Sequence, residues 1–188
     1  MRVITGTARG VKLETLPGED VIRPTSQRVK EAMFSAIQFE IKGRKTLDAF
    51  AGSGQLGIEA LSRGASFCLF LEQAPKAAEI LVRNLEHAKL ADKARLLPGE
   101  ALQFLRRAGE EFDLIFLDPP YRTGLLQEAI PLAAERLAPD GILLCEAPST
   151  ESLPESAGET ALWRSYRHSH TTVHLYRRAK ETNAEVAE

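Results

Sequence analysis

The residues best suited to chemistry form the run Asp118-Pro119-Pro120-Tyr121, directly after the apolar stretch FDLIFL. The prolines fix φ and supply no N–H, so the turn is rigid and its carbonyls can point into a cleft. If the Asp118 carboxylate and the Pro119 carbonyl each accept a hydrogen from an exocyclic purine amine, the amine lone pair faces an incoming methyl group. Tyr121 would stack on a base taken out of its helix. The run predicts methyl transfer to an amino nitrogen, with these four residues as the catalytic set.

A glycine-rich loop, Gly52-Ser53-Gly54-Gln55-Leu56-Gly57, lies upstream between an apolar run and a helical pattern. The spacing G-x-G-x-x-G is usual for a dinucleotide site, where a pyrophosphate lies on a helix N-terminus. Asp48 stands just before this loop, and its charge would repel a pyrophosphate. The loop therefore favours a cationic ligand such as S-adenosyl-L-methionine, which has an ammonium, a sulfonium and no phosphate. We expect Gly57 to pack a helix rather than to contact a ligand.

Acidic residues close or follow four of the apolar runs, at Asp48, Glu72, Glu100 and Asp118. Ligands of open parallel sheets bind beyond the carboxyl ends of the strands, so these acids are expected to meet at one site. Glu72 has the spacing from the loop at which an acid accepts hydrogen bonds from a ribose diol, a role that suits NAD equally well. Glu100 would meet the adenine, or else act as an acid at a helix N-terminus. The residues expected to bind the cofactor are Asp48, Phe50, Gly52, Ser53, Gly54, Glu72, Gln73, Glu100, Ala101 and Asp118.

Alternating apolar and helical patterns must position these residues. The apolar runs KTLDAF, SFCLFLE, ARLLPG, FDLIFLD and GILLCEA are separated by helical stretches that begin near residues 55, 75, 100 and 124. This alternation predicts an α/β fold in which helices cover both faces of a parallel sheet. From Thr160 to Arg178, two alternating runs meet near residues 169–170 and predict an antiparallel hairpin.

The first 43 residues are expected to form a small extension. Residues 2–5 and 11–16 suit a short hairpin, and apolar residues at helical spacing predict a helix from Ser26 to about Lys42–Gly43. We therefore divide the chain into an N-terminal hairpin and helix extension (1–43), a methyltransferase domain (44–178) and a polar tail (179–188). The extension would act as a clamp for RNA and cofactor.

Composition narrows the class of protein. The chain has 188 residues, of which 44% are apolar and 27% charged, and no apolar run approaches the ~20 residues that cross a bilayer. Without an apolar leader segment we expect a soluble, cytoplasmic protein with no membrane partner. Cys68 and Cys145 lie in apolar runs and are interpreted as buried structural thiols. The histidines near residue 170 lack acids or cysteines at ligand spacing, so we expect no metal.

The net charge of −2 hides an uneven distribution, because both ends of the chain are basic and the middle is acidic. Such a distribution allows an RNA-contacting face on a nearly neutral protein, although scattered solvated charges would give the same count. Arg28 and Lys30 could serve either the RNA or the cofactor. The residues expected to bind RNA are Arg9, Lys12, Arg23, Arg28, Lys30 and Arg122.

With these motifs together, the sequence resembles the Rossmann-like methyltransferases that use S-adenosyl-L-methionine to modify exocyclic amines. More specifically, it resembles the RsmD family of 16S rRNA guanine-N2 methyltransferases, over nearly the whole chain. The stretches that carry the resemblance are RVI (2–4), ARGVKL (8–13), RPTSQRVKEAMF (23–34), LDAFAGSGQLGIEALSRGA (47–65) and LDPPY (117–121). Two positions depart from the family pattern: Thr5-Gly6 stands where Gly-Gly is frequent, and Glu100 stands where Asp is expected.

The resemblance implies a doubly wound, mostly parallel sheet of seven strands whose last strand is antiparallel. It places S-adenosyl-L-methionine around Asp48, the glycine loop and Glu72, and the target guanine at Asp118 to Tyr121. The implied partner is 16S rRNA or a 30S particle, and we expect a monomer.

Two other hypotheses remain at this point. The D-P-P-Y motif also occurs in DNA adenine-N6 methyltransferases, but those enzymes normally add a domain that reads base edges, for which this chain has no room. A short basic extension is adequate to clamp folded RNA through its phosphates. An amino-methyltransferase acting on DNA or another RNA is therefore the alternative, followed by a non-catalytic nucleotide-binding module. A nicotinamide-dependent oxidoreductase would leave D-P-P-Y unexplained.

Overall fold

The computed structural model describes residues 1–16, 27–107 and 109–178. Strands and helices alternate from residue 45 onward, as the apolar runs predict. The strands are β1 Lys45–Asp48, β2 Phe67–Glu72, β3 Ala94–Pro98, β4 Phe112–Leu117, β5 Leu137–Pro148, β6 Ser156–Ala157, β7 Thr160–His168 and β8 Thr171–Arg178. The helices are α1 Gln27–Ala36, α2 Gln55–Ser62, α3 Pro75–His87, α4 Ala101–Leu105 and α5 Leu125–Ala134, with one 3-10 turn at Ala91–Lys93.

The described residues form one eight-stranded sheet with the order β3-β2-β1-β4-β5-β8-β7-β6. The five strands from β3 to β5 pair in parallel, and β8, β7 and β6 pair antiparallel. The doubly wound α/β fold and the antiparallel final strand are thus confirmed. The count differs from the expected seven because Ser156–Ala157 adds a two-residue strand beside β7. The strand order reverses between β1 and β4, which opens a crevice at their carboxyl ends.

Apolar side chains cover both faces of the sheet. One core contains residues of α1 and α2 together with sheet residues such as Phe70 and Phe116. The other contains α5 residues and sheet residues such as Leu117 and Tyr176. Cys68 and Cys145 are fully buried and carry free thiols, as predicted. Within the described residues, no helix is long and apolar enough to cross a membrane.

The N-terminal segment docks on α2 through backbone contacts. Its hairpin is reduced to a single bridge between Arg2 and Lys12. The Thr7 amide donates to the Ser62 carbonyl at 2.8 Å. Gly6 has φ +91°, and a Cβ there would lie 1.8 Å from the Ser62 carbonyl oxygen. This close approach explains why position 6 requires glycine even though Thr5 replaces the preceding one.

Helix α1 ends earlier than predicted. It stops at Ala36, not at Lys42–Gly43, and a turn follows in which the Glu40 amide donates to the Ile37 carbonyl at 2.8 Å. Both Ile37 and Ile41 are buried, whereas Phe39 between them is 92% exposed. The apolar spacing that suggested a longer helix is therefore satisfied by a turn that returns Ile41 to the core.

Candidate active site

A cavity of about 520 Å³ opens at the carboxyl ends of β1, β2 and β4. Its lining includes three carboxylates, from Glu72, Glu100 and Asp118, and no lysine or arginine among the residues that the structure describes. Such a lining disfavours a pyrophosphate and suits a ligand with positive charge. The volume lies in the range of small-molecule sites. The predicted residues that line the cavity are Phe50, Gly52, Glu72, Gln73, Glu100, Ala101, Asp118 and Pro120.

Glu72 links the two loops that form one wall of the cavity. Its Oε2 accepts a hydrogen bond from the Gly52 amide at 2.7 Å, and its Oε1 accepts one from the Ala74 amide at 2.6 Å. Each carboxylate oxygen has a second lone pair, so Glu72 keeps acceptor capacity for a ligand hydroxyl. The sequence indicated an acceptor here but not its role in joining the loops.

Asp48 lies beneath the cavity rather than in its lining, contrary to the expectation of a direct charge contact with the ligand. It is 1% exposed, and its Oδ2 accepts a hydrogen bond from the Gly57 amide at 2.9 Å. Burial raises the pKa of Asp48 to about 7, against the lowering effect of this bond, and the charges of Asp118 and Glu72 raise it further. Asp48 thus supports the start of α2, and the negative charge that faces a ligand comes from the three carboxylates of the lining.

The glycine loop turns sharply between β1 and α2. Gly52 and Gly54 have φ of 53° and 84°, in the left-handed region. Gly52 lines the cavity, whereas Ser53 is 3% exposed and its carbonyl accepts a hydrogen bond from Asn84 Nδ2 at 2.8 Å. A Cβ on Gly54 would lie 2.0 Å from Leu81. Ser53 and Gly54, predicted to bind the cofactor, therefore form the back of the loop.

The D-P-P-Y turn borders the cavity on the side of β4. Asp118 and Pro120 line it, Pro119 is buried, and Tyr121 is half-buried. The Tyr121 hydroxyl donates to a carboxylate oxygen of Glu146 and lies 3.4 Å from Thr171 Oγ1. Burial raises the pKa of Tyr121 to about 12, and the Glu146 charge adds to this. The phenol is therefore neutral at physiological pH and acts as a donor that fixes its own ring.

Two buried residues were missed by the sequence reasoning. Glu146 on β5 is 1% exposed and holds Tyr121; it is the acid of the fifth apolar run, GILLCEA, so the pattern of strand-end acids could have identified it. Asn84 on α3 is also 1% exposed. Its amide accepts from the Glu14 amide at 2.8 Å and donates to the Glu14 and Ser53 carbonyls at 3.0 and 2.8 Å. It ties the N-terminal segment to the glycine loop.

Most of the basic residues predicted to meet RNA are exposed, but one is not. Arg9, Lys12, Arg28 and Arg122 are exposed, and Arg23 lies outside the described residues.

Lys30 was predicted to bind RNA, but the structure buries it. It is 1% exposed on the core-facing side of α1. Its Nζ lies 3.1 Å from Glu59 Oε2 and 3.3 Å from the Arg2 carbonyl. Burial lowers the pKa of Lys30, while Glu59 opposes that effect. A phosphate cannot reach this ammonium, so Lys30 joins α1, α2 and the N-terminal segment instead.

Comparisons with known proteins agree over almost the whole chain. The family model described as conserved hypothetical protein 95 matches residues 1–177. Ribosomal RNA small subunit methyltransferase D of Escherichia coli K12 is 34% identical over 188 residues, covering 99% of this chain and 94% of that protein. The protein of the same name from Haemophilus influenzae is 36% identical over 184 residues, covering 94% and 92%. The solved structure of yhhF from Escherichia coli has a TM-score of 0.84 at 36% identity, covering 95% of this chain and 97% of that one.

Proposed function

This chain belongs to the family described as conserved hypothetical protein 95, the RsmD family that its sequence resembles, and from that premise we propose that it methylates the exocyclic N2 of a guanine in 16S rRNA. The observation that carries the proposal is the Asp118-Pro119-Pro120-Tyr121 turn at the edge of an acid-lined cavity. The cavity and the turn supply the two halves of an amino-methyl transfer, a cofactor site and an amine site.

The cofactor is S-adenosyl-L-methionine, and the cavity fits its chemistry. Carboxylates at Glu72, Glu100 and Asp118 suit the positive sulfonium and ammonium of this cofactor. Glu72 is already held by backbone amides on both oxygens, so its position for a ribose diol is fixed before any ligand enters. When bound, the cofactor supplies an electrophilic methyl group on its sulfonium.

The residues of the turn orient the amine. The Asp118 carboxylate and the Pro119 carbonyl would each accept one N2 hydrogen, which directs the lone pair of a poorly nucleophilic amine toward the cavity. Tyr121 would stack on the extruded base. Because the Tyr121 hydroxyl is bound to Glu146 and adjacent to Thr171, its ring is set before the base arrives.

The substrate assignment rests on relatives and on surface charge. The relatives from Escherichia coli and Haemophilus influenzae are named for the small-subunit ribosomal RNA. The exposed Arg9, Lys12, Arg28 and Arg122 suit phosphate contacts that position RNA without reading its sequence. One chain contains every residue of the proposed site, so a monomer suffices.

Methyl incorporation tests the substrate. The protein would be incubated with methyl-labelled S-adenosyl-L-methionine and, separately, with 30S particles, naked 16S rRNA and DNA, all lacking the modification. We expect label in one or both ribosomal samples and none in DNA. Label that appears only in DNA would refute the ribosomal assignment. Calorimetry with S-adenosylhomocysteine and with NAD tests the cofactor separately, and binding of NAD alone would contradict it.

A further inference from the structure

Arginine and aromatic side chains cluster on the β7–β8 hairpin, outside the cavity lining. Trp163 is 41% exposed, and the guanidinium carbons of Arg164 and Arg177 lie 4.1 and 4.0 Å from its ring centroid. Arg164 Nη1 donates to the Tyr166 hydroxyl at 3.4 Å. We name these four residues the arginine–tryptophan patch. Both guanidinium groups lie over the same aromatic ring.

A β-bulge brings Trp163 and Arg164 to the same face of the sheet. Leu162 pairs with Tyr176 and Arg164 pairs with Leu175, so Trp163 is the extra residue. Leu162 packs into the core on the opposite face. In an uninterrupted strand, consecutive side chains such as Trp163 and Arg164 would point to opposite faces. Bulges that re-aim side chains are over-represented next to active sites.

The patch shares a face with the side chain that holds Tyr121. Directly paired residues of antiparallel strands lie on one face, and Tyr166, Val173 and Glu146 form such a row across β7, β8 and β5. Glu146 accepts the Tyr121 hydroxyl. Arg164 precedes Tyr166 by two residues on β7, a step of about 7 Å away from the carboxyl end of β5. A flanking strand that leaves a base at Tyr121 and runs along this face of β8 and β7, away from the cavity, would reach the patch.

We propose that the arginine–tryptophan patch binds the RNA strand flanking the target nucleotide, an inference that rests on the proposed function. Guanidinium groups bind phosphates and stack on bases, and single strands associate with such aromatic and arginine planes. Within the described part of the chain, Arg177 and Arg178 have carboxylate partners, Glu40 and Glu159, whereas Arg164 has none. The Arg164 charge is thus available to a phosphate.

The test compares Arg164→Ala with Arg167→Ala. Arg167 is also exposed on β7 but pairs with Thr172, one position beyond the Tyr166 row, so it points to the opposite face. Affinity for unmodified 16S rRNA transcript would be measured by filter binding. We expect Arg164→Ala and Trp163→Ala each to bind about 10-fold more weakly. Arg164→Ala should also lower the slope of log affinity against log salt by about one, and Arg167→Ala should match the wild type.

Two further measurements show whether a variant still folds and whether it still catalyses transfer. Calorimetry with S-adenosylhomocysteine should give wild-type affinity for each variant, and methyl transfer at saturating RNA should be unchanged. Wild-type RNA affinity in both Arg164→Ala and Trp163→Ala would overturn the inference. A loss seen with 30S particles but not with naked rRNA would overturn it in favour of a protein contact. If the wild type fails to methylate rRNA while Arg164→Ala still weakens RNA binding, only the proposed function fails.

Discussion

Asp118 lines the cavity whereas Asp48 lies beneath it, and the two carboxylates are expected to fail in different ways when replaced. Asp118 would touch the reacting amine, so its loss should affect transfer. The Asp48 carboxylate accepts a hydrogen bond from the Gly57 amide at the start of α2, so its loss should affect the loop and the stability of the fold. Sequence spacing identified both residues but could not separate these roles, because exposure depends on contacts distant in the chain.

Asp118→Ala is expected to reduce methyl transfer by about 10²- to 10³-fold, because the amine loses one of its two orienting acceptors. Affinity for S-adenosylhomocysteine should fall far less than transfer, because Glu72 and Glu100 still line the cavity. Asp113→Asn is the control, since Asp113 lies near the start of β4, where it binds Arg44 and the Lys45 amide, whereas Asp118 follows the end of that strand. Transfer by Asp118→Ala at the rate of the control would disprove the assigned role.

In Asp48→Asn, the free energy of unfolding is expected to fall less with rising pH than it does in the wild type. Burial raises the pKa of Asp48 from 3.8 to about 7, so between these values the folded protein retains a proton that the unfolded chain has released. The resulting stability is full below about pH 4 and is lost as pH rises through about 7. Asparagine keeps an acceptor for Gly57 but does not titrate.

Urea unfolding from about pH 5 to about pH 8 measures this effect. The unfolding free energy of Asp48→Asn relative to the wild type should rise with pH by up to about 1.4 kcal/mol per unit. A constant difference across this range would show that Asp48 does not titrate there.

At the scale of elements, α2 packs on β2 through Gly57. A Cβ at this position would lie 2.2 Å from Phe70 Cε1 and 2.7 Å from Cys68 Sγ. Gly57→Ala should therefore destabilise the fold by about 1–3 kcal/mol despite the better helix propensity of alanine. Chemical unfolding measures the cost, and Phe70→Leu in the same chain should recover part of it. Additive losses in the double variant would refute the packing explanation. The structure thus agrees with the packing role that the loop sequence predicted.

The sequence predicted helices and strands well where the spacing of apolar residues stays constant along the element. The starts of α2 and α3 and the hairpin turn near residues 169–170 follow directly from apolar spacing. The bulge at Trp163 was not predictable, since TALWRSYRH resembles an uninterrupted alternating strand. The predicted end of α1 was wrong. Ile37 and Ile41 fit helical spacing, but a turn after Ala36 carries Ile41 into the core.

At the scale of the whole molecule, the N-terminal segment and the sheet share one core. Val3, Leu13 and Phe34 pack in the same cluster as Phe70 and Phe116. The proposed N-terminal clamp therefore packs into the same hydrophobic core as the sheet and is not a separate unit. Changes in this segment are expected to alter stability together with RNA binding.

The sequence identified residues that line the cavity but not the contacts that hold them. Strand-end acids and the D-P-P-Y turn follow from local motifs. Asn84 and Glu146 act on residues 70 and 25 positions away, at Glu14 and Tyr121. Lys30 was assigned to the surface because a lysine in a basic segment gives no sign of a buried partner such as Glu59. Partners of this kind become apparent only once the chain is folded.

The identity of the methylated nucleoside tests the proposed guanine-N2 methylation directly. Unmodified 16S rRNA or 30S particles would be treated with the protein and methyl-labelled S-adenosyl-L-methionine, digested to nucleosides and separated by chromatography with mass detection. We expect label in N2-methylguanosine and its loss with Asp118→Ala. Label in N6-methyladenosine or in a ring-carbon or ribose methyl product would contradict this proposal.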